Sequence, residues 1–134
     1  MKMLRLLMLA ATFAALNVGF TAMIKPAMQL QGSNGQIAKR VSQTEFKQKL
    51  QTLKNVQLID VRTAGEFNRG TIEGAVNIDY NSSSFKTQIG KLDRSMPTLI
   101  FCHSGGRSAQ ALRQFKALNF EYVLELEGGF SHWK

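Results

Sequence analysis

A single cysteine, Cys102, stands in the stretch LIFCHSGGRSAQALRQF, residues 99–115. Three apolar residues, Leu99, Ile100 and Phe101, precede it, and Gly105, Gly106 and Arg107 follow before a run that reads as a helix. A thiol attacks as its thiolate, and inward-facing amides, the positive end of a helix and nearby cations all favour that form. Gly105 and Gly106 tolerate positive φ, so the turn from Cys102 to Arg107 is able to aim successive N–H groups inward as an anion nest. The order C-x-x-G-x-R-S, with a strand before it and a helix after it, points to a reactive thiolate. The plainer reading, a buried cysteine acting as a small hydrophobe, lacks a reason for that spacing. The chemistry would be covalent catalysis through Cys102. His103, Ser104, Gly105, Gly106, Arg107 and Ser108 would then form the binding loop. As the immediate neighbour of Cys102, His103 is badly placed to be its base and reads as loop wall.

Such a loop needs a scaffold that holds a strand end against a helix start. SQTE, Ser42–Glu45, reads as a capping box opening a helix that carries Phe46 and Leu50 on one face. VQLIDV, Val56–Val61, is a short apolar run typical of a buried strand. RTAGEFNRG reads as a turn and short helix, and GAVNI, Gly74–Ile78, as a second strand. Ser82–Leu92 reads as a serine-capped helix with Phe85, Ile89 and Leu92 on one face. TLIF, Thr98–Phe101, is a third strand. The next helix lines up Ala111, Leu112, Phe115 and Leu118, and YVLEL, Tyr122–Leu126, is a fourth strand. Short strands, apolar on both faces and alternating with helices, predict an α/β fold with a parallel sheet covered on each side. Ligands of such sheets sit at the carboxyl ends of the strands, where Cys102 falls.

Composition narrows the alternatives. The chain has 134 residues, enough for one domain, and 44% are hydrophobic, too many for a disordered chain. One cysteine excludes an intramolecular disulfide and a multi-thiolate zinc site, and two histidines, His103 and His132, give no metal cluster. No metal or cofactor is expected. The net charge is +8, of which 14 Lys/Arg and 9 Asp/Glu from Ile37 onward leave +5 on the domain. These cations are scattered rather than massed, which argues against nucleic acid and for a mildly basic surface that attracts small anions.

The N-terminus is of another kind. Lys2 and Arg5 precede Leu6–Ile24, a run of 19 residues without charge. That is the pattern of an export signal, or of an uncleaved anchor across a membrane. Residues 1–28 are therefore expected to be a signal peptide or signal anchor, 29–36 a polar linker, and 37–134 the domain. The positive residues ahead of the run favour keeping the N-terminus inside, which places the domain outside the cytoplasm, in the periplasm.

Three ordered stretches carry a family likeness. FCHSGGRSAQA resembles the active-site loop of the rhodanese family of sulfurtransferases. LIDVRTAGEFNRGTIEGAVNI, Leu58–Ile78, resembles that family's D-V-R, Glu, G-x-I-x-G-A-x-N-I signature. LEGGFSHW, Leu126–Trp133, resembles its closing G-G-x-x-x-W. Together they span almost all of residues 37–134, in the manner of the small, single-domain exported members. Thr71 stands where the family often has His, and Glu73 where it often has Pro. The likeness implies that the Cys102 thiolate takes the outer sulfur of thiosulfate and passes it from a persulfide to a thiophilic acceptor such as cyanide, a protein or a small thiol. Arg107 would attract the doubly charged donor, while Asp60, Arg62 and Glu66 would hold the neighbouring loops. Two rivals remain. A persulfide carrier without turnover needs the same thiolate. A cysteine phosphatase or arsenate reductase usually has C-x5-R, whereas Cys102 to Arg107 is C-x4-R, a narrower cradle for a phosphoryl group.

Overall fold

The computed structural model describes residues 35–134. The export signal and most of the linker expected at the N-terminus lie outside the described residues. The elements run β1 (Ile37–Val41), α1 (Gln43–Thr52), β2 (Gln57–Asp60), α2 (Ala64–Asn68), β3 (Val76–Asn77), α3 (Phe85–Gly90), β4 (Thr98–Phe101), α4 (Gly106–Ala117) and β5 (Tyr122–Leu126), with a closing 3-10 turn at Phe130–His132. The five strands form one parallel sheet in the order β1-β5-β4-β2-β3.

Each face of the sheet has its own core. On one, Ile59, Ile100 and Val123 pack against Phe85 and Ile89 of α3 and Ala111 and Phe115 of α4. On the other, Leu58, Leu99, Phe101, Leu124 and Leu126 pack against Phe46 of α1, with Trp133 at the rim. Every residue of β4 is buried, which is why TLIF reads as continuous apolar sequence: a central parallel strand has no solvent face. The helical faces also match expectation, since Ala111 and Phe115 are buried while Leu112 and Leu118 pack partly against the same core.

Four details differ from the sequence reading. The sheet has a fifth strand, β1, where only the start of the domain was expected. IAKRV reads poorly as a strand because it is an edge, exposed at three of its five positions, half-buried at a fourth and carrying Lys39 and Arg40; charges of this kind keep an edge strand from pairing with other chains. The Ser42 hydroxyl accepts from the Glu45 amide, but the Glu45 carboxylate turns to Lys39 at 2.9 Å instead of closing the box. The reciprocal box forms at Thr63 and Glu66, opening α2. Finally, α3 starts at Phe85 with no side-chain cap, because the Ser82 and Ser84 hydroxyls bond each other at 2.8 Å.

Candidate active site

β4 delivers Cys102 to the carboxyl edge of the sheet, and α4 begins four residues later. The thiol is almost fully buried at 1% exposure. Its sulfur lies 3.1 Å from the Gly105 amide, which donates to it, and 3.3 Å from the Ser108 hydroxyl. Burial pushes the thiol up, yet hydrogen bonds from the Ser108 hydroxyl and from the Ser108, Gly105 and Ser104 amides outweigh it and bring the thiol below its ordinary value. These donors favour the thiolate over the thiol.

The two glycines are not equivalent. Gly105 caps α4 at φ 102°, a left-handed conformation that other residues adopt at a cost. Gly106 is already helical, and a Cβ there would meet nothing within 4 Å. A third glycine, unremarked in the loop motif, braces the site from behind. At Gly129 (φ 64°) a Cβ would come within 2.6 Å of the Cys102 carbonyl oxygen and 2.5 Å of that of His103. This close approach lets the Phe130 amide donate to the Cys102 carbonyl at 2.7 Å and the Ser131 amide to that of His103 at 2.9 Å. The closing glycine pair thus fixes the backbone on which the thiol sits.

On the β2 side, Asp60 is fully buried and receives the Arg62 guanidinium at 2.7 Å. The Thr71 hydroxyl, at a position that departs from the family pattern, donates to the same carboxylate at 2.9 Å. Arg62 also donates to the Gly70 carbonyl at 2.6 Å and lies 4.3 Å from the centre of the Phe130 ring. Glu66, besides capping α2, accepts both terminal nitrogens of Arg107 at 2.7 and 2.8 Å. The Arg107 guanidinium holds the Glu66 carboxyl well below the usual carboxylate range. Arg107 was expected to stand ready for an anionic donor; its charge is instead matched by Glu66. His103 and Ser104 are exposed on the loop rim. His103 lines a hollow beside the loop with Arg62, Glu66, Arg69, Gly70 and Phe130. Arg69 makes no ion pair among the described residues.

The β5 side was not anticipated. Glu125, fully buried on β5, lies 2.5 Å from the Ser108 hydroxyl and accepts from Arg40 Nε at 2.6 Å. Arg40 Nη2 donates to the Gly105 carbonyl at 2.9 Å. β1 thus reaches across β5 to grip the same residue whose amide faces the thiol. The parallel register that sets Arg40 opposite Glu125 makes the contact possible.

Comparison with known proteins follows the same lines. The profile of the rhodanese-like domain matches residues 42–134. The chain belongs to the rhodanese-like family. Thiosulfate sulfurtransferase GlpE of Shewanella oneidensis is 36% identical over 80 residues, covering 60% of this chain and 77% of that protein. YrkF of Bacillus subtilis, named as a candidate sulfur carrier, is 30% identical over 93 residues, which are 69% of this chain but 49% of that protein. The crystal structure of a rhodanese-like domain protein from Staphylococcus aureus superposes with a TM-score of 0.63 at 29% identity, covering 72% of this chain and 91% of that one. Fold and family are those expected from the three motifs.

Proposed function

We propose that this rhodanese-like domain is a thiosulfate sulfurtransferase that moves sulfane sulfur through a persulfide on Cys102. The observation that carries the reading is the setting of the single thiol, which receives the Gly105 amide and the Ser108 hydroxyl at the head of α4. The thiolate attacks the outer sulfur of thiosulfate, and sulfite leaves with the bonding pair. The new persulfide is an anion held by loop amides. A thiophilic acceptor, cyanide or a protein or small-molecule thiol, then removes the outer sulfur and frees Cys102. His103 to Ser108 form the substrate loop. With Arg107 matched by Glu66, Arg69 at the hollow beside His103 is the better candidate to draw in a doubly charged donor. Residues 1–28 would export the domain to the periplasm, cleaved or retained as an anchor, which fractionation of the host cell tests; a full-length chain in the soluble cytoplasm contradicts it.

Steady-state transfer from thiosulfate to cyanide tests the activity. Parallel lines in double-reciprocal plots are expected, since two half-reactions share one covalent intermediate. Turnover falls as salt screens the attraction between Arg69 and the donor, and Arg69→Gln raises the KM for thiosulfate with little change in kcat. A protein that takes up sulfur yet never passes it to cyanide or a thiol is a carrier, like the role named for YrkF. Hydrolysis of an aryl phosphate at a comparable rate would replace this reading with the phosphatase one.

A further inference from the structure

The Ser108 hydroxyl has one proton and two buried neighbours, Glu125 Oε1 at 2.5 Å and Cys102 Sγ at 3.3 Å. While the thiol is protonated, the shorter contact, to a carboxylate, claims the Ser108 proton, and the thiol donates along the chain Sγ–H to Oγ–H to Oε1. Once the thiolate forms, the Ser108 hydroxyl donates to it, the state in which it lowers the thiol's titration. The other buried acid of the sheet, Asp60, is engaged by Arg62 and Thr71 and has no such line to the thiol.

We infer that Glu125 takes up, through Ser108, the proton that leaves the Cys102 thiol, and returns it when the sulfur has been passed on. The inference deepens the sulfur-transfer reading and rests on it for the second half of the cycle. In the first half, the S–H bond breaks and its electron pair stays on Sγ to attack the donor sulfur. Ser108 Oγ accepts the thiol proton and gives its own to Glu125 Oε1. In the second half, the acceptor takes the outer sulfur, the pair returns to Sγ, and the proton travels back. No proton is exchanged with solvent, matching an overall reaction of thiosulfate and cyanide to sulfite and thiocyanate that needs none. The carboxylate is neutral while the persulfide is anionic, so two buried negative charges never face each other across Ser108.

The groups around Glu125 fit this role. From β1, Arg40 binds it and holds the Gly105 carbonyl. The end of β4 contributes Cys102, and α4 contributes Ser108. Glu127, just past β5, acts on Arg40, and Arg107 with Glu66 flanks the thiol from the far side of the loop. On the opposite face of the sheet, Lys39 pairs with Glu45 of α1 and takes no part. Glu125 touches no substrate; it is a positioning residue that acts through Ser108.

Alkylation of Cys102 by iodoacetamide, followed from about pH 5 to 9, tests the inference without any sulfur donor, so its failure is separable from failure of the sulfurtransferase reading. In the unaltered protein the internal proton transfer keeps a thiolate fraction available below the thiol midpoint, and the rate levels into a shoulder. Glu125→Gln and Ser108→Ala each remove the shoulder, leaving a fall of roughly tenfold per pH unit. Both lose on the order of a hundredfold at about pH 6, the scale of general-base assistance. The double variant loses no more than either single one. Circular dichroism checks the fold of each. If Glu125 merely competes for the Ser108 proton, Glu125→Gln reacts faster at low pH than the unaltered protein, and the inference fails. The shoulder itself is read on unaltered protein, so a rate that falls tenfold per unit there overturns the relay even if a variant does not fold.

Discussion

Two ion pairs hold the Cys102 loop, one on each flank, and they differ in where their charge lies. On the α2 side, Glu66 and Arg107 are both partly solvated, with side chains 22% and 25% exposed. On the β5 side, Glu125 is sealed from solvent while its partner Arg40 is 45% exposed. Arg107 and Glu66 join two elements at the rim. Arg40 and Glu125 join β1, β5, the Gly105 carbonyl and Ser108, and through the last two they reach the thiol. Each pair fixes a different property of the site. The outer pair sets the position of the helix start, and the inner pair sets which atoms face the sulfur.

Removing the cation from each pair separates them. Arg40→Ala leaves a buried carboxylate without its counter-ion and should cost about 3 kcal/mol in urea denaturation. It should also slow sulfur transfer, because Gly105 loses its anchor. Arg107→Ala should cost about 1 kcal/mol, since Glu66 keeps water and Thr63. Equal losses would dissolve the contrast. Gly105→Ala should cost about 1–2 kcal/mol for forcing a side chain into the left-handed region, and should depress transfer by tilting the amide that meets the sulfur. Gly106→Ala, a residue away, should stay within about 1 kcal/mol of the unaltered protein and leave transfer intact, because its backbone is already helical. Measured transfer and stability of these two variants sharpen the account to one peptide unit.

The smallest effect expected is on acid stability. Glu66 titrates below the range it would have in the unfolded chain, about 4.3. A depressed folded-state value gives stability that is present above the unfolded value and is lost as falling pH protonates the group. The difference in melting temperature between the unaltered protein and Glu66→Gln should therefore be present at about pH 6 and close toward about pH 2. A difference that stays constant over that range would show that Glu66 acts through its cap on α2 and not through its charge.

What is legible in the sequence is local. TLIF is fully apolar because β4 is central, and the next residue is the only thiol, so Cys102 and the strand before it announce themselves. The D-V-R and G-G-x-x-x-W stretches are likewise contiguous. The unread parts depend on partners far apart in the chain: Arg40 and Glu125 are 85 positions apart and meet only through the β1–β5 register. A lone acid inside YVLEL gives no sign that it is buried or that it faces a hydroxyl beside the thiol. Spacing also could not tell Gly105 from Gly106. Both permit positive φ, and only the geometry at the head of α4 shows that one uses it. The pairing of Arg107 was hidden for the same reason, as Glu66 lies 41 positions away.

The central claim is that Cys102 carries the transferable sulfur, and intact mass spectrometry reads it directly. After incubation with thiosulfate and removal of excess donor, the unaltered protein should be heavier by one sulfur atom. Cyanide should return it to its starting mass with thiocyanate formed, and Cys102→Ser should show neither change. An unaltered protein whose mass does not move, or a Cys102→Ser variant that gains and loses the same sulfur, would contradict the account.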